Sequence, residues 1–307
     1  MIKCIKDTNI YKQLNLQQNL SHAYLLYSTD KELNNALALT FAKSLLCHSR
    51  SACDHCPACM QFDSSSHPDI TIIDNASIKV EDINKLIPKL NTLPISNEYK
   101  VFVILNAENI NEVAQNKLLK SLEEPNRSNI FILTSCKTDK ILLTIMSRLT
   151  KVFIPKLSIL DKSMISRELK TSNIDISKYL DADFTLTEML NLSTKSEYIS
   201  TLDSIYQAFS NLKSSADIPK VSTSLSKVDK HIFLELLQDL FLDCINKTHK
   251  YDPSLTTLIE MNFNTKTLLK SLTHIEDAYK KIMSNVSFSY VLDNLLFNIL
   301  KEKFLCK

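Results

Sequence analysis

An α/β module followed by an all-helical half is the fold class this sequence predicts. Three observations carry it. Residues 1–155 alternate short apolar, β-rich runs with stretches of helical period. Pro155 closes the last of those runs. Residues 156–307 then keep a helical period almost throughout, with no convincing strand. Alternation of the first kind reads as a parallel sheet covered by helices, and the second half reads as a set of packed amphipathic helices.

The strands are predicted at 24–27, 70–74, 100–105, 129–134 and 151–154. Each is short, apolar and rich in β-branched or aromatic residues, as buried parallel strands are. Helices are predicted between them at 31–46, 80–92, 109–124 and 138–146. In the first of these, Leu33, Leu37, Phe41 and Leu45 form one apolar stripe facing the sheet. Beyond Pro155, Phe233, Leu236, Leu237, Leu240 and Phe241 follow the three–four spacing of a helix face, and Val291, Leu295 and Ile299 recur every fourth residue. The polar run Lys213-Ser214-Ser215-Ala216-Asp217 marks a joint between two helical modules.

A chain of 307 residues holds two or three domains with cores of their own. With 44% hydrophobic and 23% charged residues the composition is that of an ordinary globular protein, and a net charge of +2 argues against a dedicated electrostatic DNA binder. The first twenty residues lack the apolar stretch of a secretion signal, and no apolar run reaches the roughly 20 residues a membrane span needs; a cytoplasmic protein is expected. Glycine and tryptophan are absent, and lysine outnumbers arginine 32 to 4. An AT-rich genome and redesign are both compatible with that bias. Asparagine, present 24 times, is the expected substitute at left-handed turns. Without glycine, every Gly-rich phosphate loop is excluded.

That exclusion matters at 27–35, where a strand turns into a helix. Such turns bind phosphate through backbone N–H groups, a helix N-terminus and an added lysine. Here the helix opens Thr29-Asp30-Lys31-Glu32. Thr29 and Glu32 have the spacing of a capping box, and Asp30 and Glu32 place negative charge at the positive end of the helix. The helix is expected to fill its own anion site.

Directly after it, Cys47, Cys53, Cys56 and Cys59 stand within thirteen residues, spaced C-x5-C-x2-C-x2-C. Four thiolates so spaced can close around one tetrahedral zinc, and with no acid–base partner in the loop the site reads as structural. The alternative is a loop of reduced cysteines without metal. Cys4, Cys136, Cys244 and Cys306 are scattered, as buried thiols are.

The run 100–135, "KVFVILNAENINEVAQNKLLKSLEEPNRSNIFILTS", with "TIMSRL" at 144–149, "HAYLL" at 22–26 and the cysteine loop, resembles the delta-prime subunits of bacterial DNA polymerase III clamp loaders. The specific motifs cover about 14–155. The resemblance implies an AAA+ α/β module (1–155) carrying the zinc loop, a small helical lid (156–212) and a helical collar (213–307) that joins five subunits in a ring. The family's phosphate loop falls on the stretch from His22 to Cys47. Ser28 lies in that degenerate loop, and Asn34 and Asn35 stand where ATP-hydrolysing relatives carry Lys and Thr. Leu105 and Asn106 replace the relatives' Asp-Glu pair. Leu cannot ligate magnesium and Asn cannot act as a base, so the resemblance implies a subunit that binds no ATP and is no enzyme on its own. Thr134 falls at the family's sensor position. Arg148, in Ser147-Arg148-Leu149 where the family reads Ser-Arg-Cys, is implied to be an arginine finger acting in trans on a neighbour's ATP.

Implied partners are the gamma/tau and delta subunits in a hetero-pentamer, with the sliding clamp and primed DNA reached through the complex. The segment Glu123-Glu124-Pro125 reads as a solvated helix end. Two other functions compete: a working AAA+ ATPase of the gamma/tau kind, against which the missing lysine, acids and glycines count, and a zinc-dependent nucleic-acid adapter. The second would need a basic face near the cysteines, yet 47–62 carries Arg50 alone, balanced by Asp54.

Overall fold

The computed structural model describes residues 3–15, 20–180, 183–248 and 250–305. They form two compact units, one of 1–175 with 185–187 and one of 176–184 with 188–307.

In the first unit the order is α1 (Asn9–Asn15), β1 (Ala23–Tyr27), α2 (Lys31–Leu46), α3 (Pro57–Asp63), β2 (Ile70–Ile73), α4 (Val80–Leu90), β3 (Lys100–Ile104), α5 (Glu112–Glu123), β4 (Asn129–Ser135), α6 (Leu143–Met146), β5 (Thr150–Phe153) and α7 (Ile159–Thr171). The five strands form one sheet in the order β2-β3-β4-β1-β5, with every pairing parallel. All five lie within one residue of their expected ends. The central strands β3 and β4 are buried along their whole length, which is why they read as unbroken apolar runs. Phe102 and Phe131 stack across these two strands with ring centroids 5.3 Å apart, and Tyr24 meets Phe41 of α2 edge-on at 5.3 Å. The predicted stripe Leu33, Leu37, Phe41 and Leu45 is buried.

The helix predicted at 80–92 ends two residues early at Leu90, and two others are broken, each for a visible reason. The 109–124 pattern begins as a 3-10 turn, Ala107–Asn109, and α5 starts only at Glu112. Between them Ile110 is extended and bridges Ile78: Ile78 N–H donates to Asn109 O and Asn111 N–H to Ile78 O. Asn111 then caps α5 by accepting from Ala114 N–H at 2.8 Å. The 138–146 pattern breaks into a 3-10 turn, Thr138–Lys140, and the short α6. The buried side chain of Gln115 fills the break, donating to Lys140 O at 3.0 Å and accepting from Leu142 N–H at 2.8 Å.

The second unit is helical: α8 (Leu186–Thr194), whose first two residues belong with the first unit, α9 (Ser196–Asn211), α10 (Ile218–Leu225), α11 (Lys230–Asn246), α12 (Pro253–Asn262), α13 (Thr265–Met283) and α14 (Phe288–Leu305). The stripes predicted on α11 and α14 are buried. The polar run at 213–217 forms a turn between α9 and α10, in which Asp217 accepts from Ser214 N–H at 2.8 Å. No described helix is long and apolar enough to cross a membrane.

Eight described residues adopt a positive φ, and asparagine supplies three of them, Asn106, Asn173 and Asn285. Three more, Arg50, Ala52 and Asp54, fall together in the cysteine loop.

Candidate metal centre and the turn after the first strand

The turn between β1 and α2 lies at the carboxyl edge of the sheet, where open α/β folds bind ligands. The helix cap there is Asp30 and not the Thr29–Glu32 box that the spacing suggested. Asp30 has extended backbone, and its Oδ1 accepts from Leu33 N–H at 3.2 Å. The cap moves one residue on because the Asp30 carboxylate has further donors to satisfy. Oδ2 accepts from Leu186 N–H at 2.6 Å, and Oδ1 from Thr187 N–H at 3.2 Å and Thr187 Oγ1–H at 2.8 Å. Glu32 N–H donates to Thr187 Oγ1 at 2.9 Å and so has no need of a box partner. Asp30 is only 5% exposed. An internal carboxylate and an internal hydroxyl therefore take up the first free N–H groups of α2, the groups that elsewhere face a phosphate.

The positions flanking this turn bond to one another. Asn34 Oδ1 accepts from Ser28 Oγ at 2.7 Å, and Asn34 Nδ2 donates to Ser135 O at 3.2 Å. Asn35 Oδ1 accepts from Thr134 Oγ1 at 2.7 Å, and Thr134 Oγ1 accepts in turn from Asn106 N–H at 2.8 Å. Asn106 sits left-handed at φ 55° and reaches Asp74 with its amide. Leu105 is buried. Ser28 with Asn34, and Asn35 with Thr134 and Asn106, thus form two hydrogen-bonded groups across the ends of β1, β3 and β4.

The cysteine loop follows α2. Ligand sulfurs of Cys47, Cys53, Cys56 and Cys59 all lie within 4.8 Å of one another. Cys53 and Cys59 sulfurs are 4.0 Å apart, and those of Cys56 and Cys47 3.9 Å. Four sulfurs at 2.3 Å around a tetrahedral ion stand about 3.8 Å apart, so the donor set fits such an ion. Backbone N–H groups already point at the sulfurs: Cys53 N–H at Cys47 Sγ and Cys59 N–H at Cys56 Sγ, each at 3.5 Å. Burial works against a Cys47 thiolate, but the N–H groups of Cys53, Ser51 and Ser49 and the Ser49 hydroxyl outweigh it and bring the thiol down to about 5. Cys56 caps α3, with Pro57 in its first turn. The left-handed Arg50, Ala52 and Asp54 let the loop wrap its sulfurs inward, at a backbone cost on the order of 1 kcal/mol each.

Beneath the loop lies a residue that sequence reasoning missed. The Lys43 side chain is 1% exposed and pairs with Asp54 at 2.5 Å and Asp63 at 2.8 Å, while Lys6 reaches Asp54 from the other side. Burial opposes the Lys43 charge, and the two carboxylates overcome it and raise its pKa. A lysine on the stripe side of an amphipathic helix, two carboxylates away in the next loop, was the available signal. His67 and Asp69 were missed as well. Asp69 is fully buried and accepts from the N–H groups of Ile95, Ser96 and Asn97 at 2.6, 2.7 and 3.1 Å. His67 Nδ1 accepts from Asp69 N–H, and its Nε2 lies 2.8 Å from the Asn97 amide.

Arg148 follows α6 with its side chain 32% exposed. Its guanidinium donates to Thr144 O at 2.5 Å and Ser147 Oγ at 3.1 Å through NH1, and to Glu123 Oε1 at 2.5 Å through NH2. The acidic helix end at Glu123 is therefore partnered and not simply solvated.

A five-stranded parallel sheet covered by helices, with a four-cysteine loop directly after α2, is a clamp-loader-like fold. Residues 6–158 match the family model described as DNA polymerase III, delta subunit. A Bacillus subtilis DNA polymerase III subunit delta' is 33% identical over 136 residues, 43% of this chain and 41% of that protein. The tau subunit from the same organism is 36% identical over 137 residues, 43% of this chain and 24% of that protein. The match thus spans less than half the length of either relative. Among solved structures, a gamma subunit-related protein of Thermotoga maritima aligns with 96% of this chain and 100% of its own at 17% identity, with a TM-score of 0.47.

Proposed function

We propose that this chain is a cytoplasmic subunit of a DNA polymerase III clamp loader, of the delta-prime kind, that hydrolyses no ATP itself and supplies Arg148 to an ATP held by a neighbouring subunit. Its partners on this reading are gamma/tau and delta subunits in a hetero-pentamer, which loads the sliding clamp on primed DNA. Residues 156–212 serve as a lid and 213–307 as the collar that joins the ring. Cys47, Cys53, Cys56 and Cys59 hold one structural zinc.

The observation that carries this reading is the Asp30 carboxylate on the Leu33 N–H in the first turn of α2, with Thr187 Oγ1 on the Glu32 N–H beside it. A carboxylate there repels phosphate and leaves it too few donors, and Asn34 and Asn35 carry no charge and have their amide oxygens taken by Ser28 and Thr134. A gamma/tau-like motor, the runner-up, needs that position open. A planar, permanently charged guanidinium at Arg148 suits charge developing on a γ-phosphate.

Titration calorimetry of the isolated chain with Mg-ATP tests the first half: no heat of binding is expected, and micromolar affinity would overturn it. Arg148→Ala in a reassembled loader tests the second. Assembly should stay near that of the unaltered chain, while DNA- and clamp-stimulated hydrolysis should fall in part, because this finger would serve one ATP site among several.

A further inference from the structure

We infer that Glu123 is a positioning residue for Arg148, holding one part of its guanidinium so that the rest is presented to a phosphate on another subunit. The inference rests on the finger reading above. Its basis is the way five donors are shared out. NH1 gives its bonds to Thr144 O and Ser147 Oγ, and NH2 gives one to Glu123 Oε1. These three bonds leave the Nε–H and one NH2 hydrogen, and a guanidinium fork binds phosphate oxygens through two such donors.

The three partners come from two places in the chain. Thr144 belongs to α6, Ser147 follows it, and Glu123 is the last residue of α5. Two of them, Thr144 and Ser147, sit on the segment that carries Arg148 and move with it. Only Glu123 ties the guanidinium to a different element, 25 residues earlier in the chain. That element is well anchored: Ala114, Leu118 and Leu122 of α5 are buried against the sheet, and the buried Gln115 side chain bonds the backbone on either side of Ile141, just before α6. The carboxylate thus refers the orientation of a half-exposed, many-rotamer side chain back to the rigid sheet. Glu123 and Arg148 thus join two segments that lie apart in the chain, Glu123-Glu124-Pro125 and Ser147-Arg148-Leu149.

The test uses the reassembled loader with four forms of this chain: Glu123→Ala, Glu123→Gln, Arg148→Ala and the double alanine variant. Stimulated ATP hydrolysis is followed as kcat and KM. Glu123→Ala should lower kcat about threefold or more, since misplacing a group that acts on the transition state costs rate, and should leave the KM for ATP near its starting value. Glu123→Gln, which keeps an acceptor oxygen in place, should recover most of the loss. The double variant should match Arg148→Ala alone, because a residue acting only through Arg148 has nothing left to act on. Both side chains are partly exposed, so melting curves of the free chain check that the fold persists. Should Arg148→Ala reduce kcat while Glu123→Ala leaves it unchanged or raises it, the inference fails and the finger stands. Additive losses in the double variant overturn it as well. An unaffected Arg148→Ala loader removes the finger reading, and the inference with it.

Discussion

Lys43 Nζ lies 2.5 Å from Asp54 Oδ1 with only 1% of the lysine side chain exposed, so a charge-bearing helix residue underpins a loop eleven positions later. Burial of an ammonium is offset only while its carboxylates stay in place. Lys43→Met should therefore destabilise the first unit by about 1–2 kcal/mol, less than an isolated buried charge would cost, because Asp54 keeps Lys6 and Asp63 is 36% exposed. Urea unfolding measures it, and faster metal release to a chelator should accompany it because Asp54 lies between two of the cysteines.

Metal analysis of chain purified without chelator should return about one zinc per molecule, the complement of a four-thiolate site. Cys59→Ser should bring the content near zero. Strand-borne circular dichroism should persist, because all four sulfurs lie outside the sheet. Metal-free unaltered chain with intact thiols would refute the assignment.

Stability should fall as pH drops below the ordinary histidine range, and His67 is one named cause. Burial lowers its folded pKa, with the Asp69 charge working partly against that. A base with a depressed folded pKa binds fewer protons folded than unfolded. Its contribution is therefore fully present above the unfolded value of about 6.5 and declines as pH falls toward the folded one. Protonation would also set an N–H on Nδ1 against Asp69 N–H. Urea midpoints at pH 7.5 and 5.5 should differ less for His67→Phe than for the unaltered chain. At pH 7.5 that variant should cost about 1–3 kcal/mol for its unpaired neighbours.

Asp30→Ala should cost about 2 kcal/mol or more, the loss of a cap plus the partners of the Leu186 and Thr187 N–H groups. Thermal melts and urea curves read this directly. Asp30→Asn should recover part of it, since one oxygen remains to accept.

On α14, Tyr290, Phe297 and Phe304 recur every seventh residue and are 61%, 51% and 54% exposed. Three exposed rings on one helix face exceed what a solvated surface calls for, which supports the proposal that this face joins a partner. Phe297→Ser should leave the melting temperature of the free chain within a few degrees and weaken entry into the loader, seen as a raised dissociation constant by analytical ultracentrifugation. Unchanged assembly would free this face for another role.

The strands were readable because β3 and β4 are buried on both faces and so carry apolar residues everywhere but at their ends. The cysteine cluster was readable because all its ligands come from one short loop. What escaped was long-range. No local pattern says that Asp30 will be met by Leu186 and Thr187, more than 150 residues on, so the nearer Thr29–Glu32 pairing looked sufficient. Helical period likewise could not foresee that Ile110 would leave its helix to bridge Ile78, or that the Gln115 side chain would stand in for helical bonds beside Ile141.

Asp30 is attached to the backbone it binds, and that changes the terms on which anything could displace it. A dissolved phosphate competes at its bulk concentration, whereas a tethered carboxylate competes at a local concentration that dilution cannot lower, on the order of millimolar or above for short connections. It has no off-rate into solvent, no bond to be cleaved and no product to be released. A site that turns over a dissolved ligand must empty and refill in every cycle, whereas this position is filled when the chain folds.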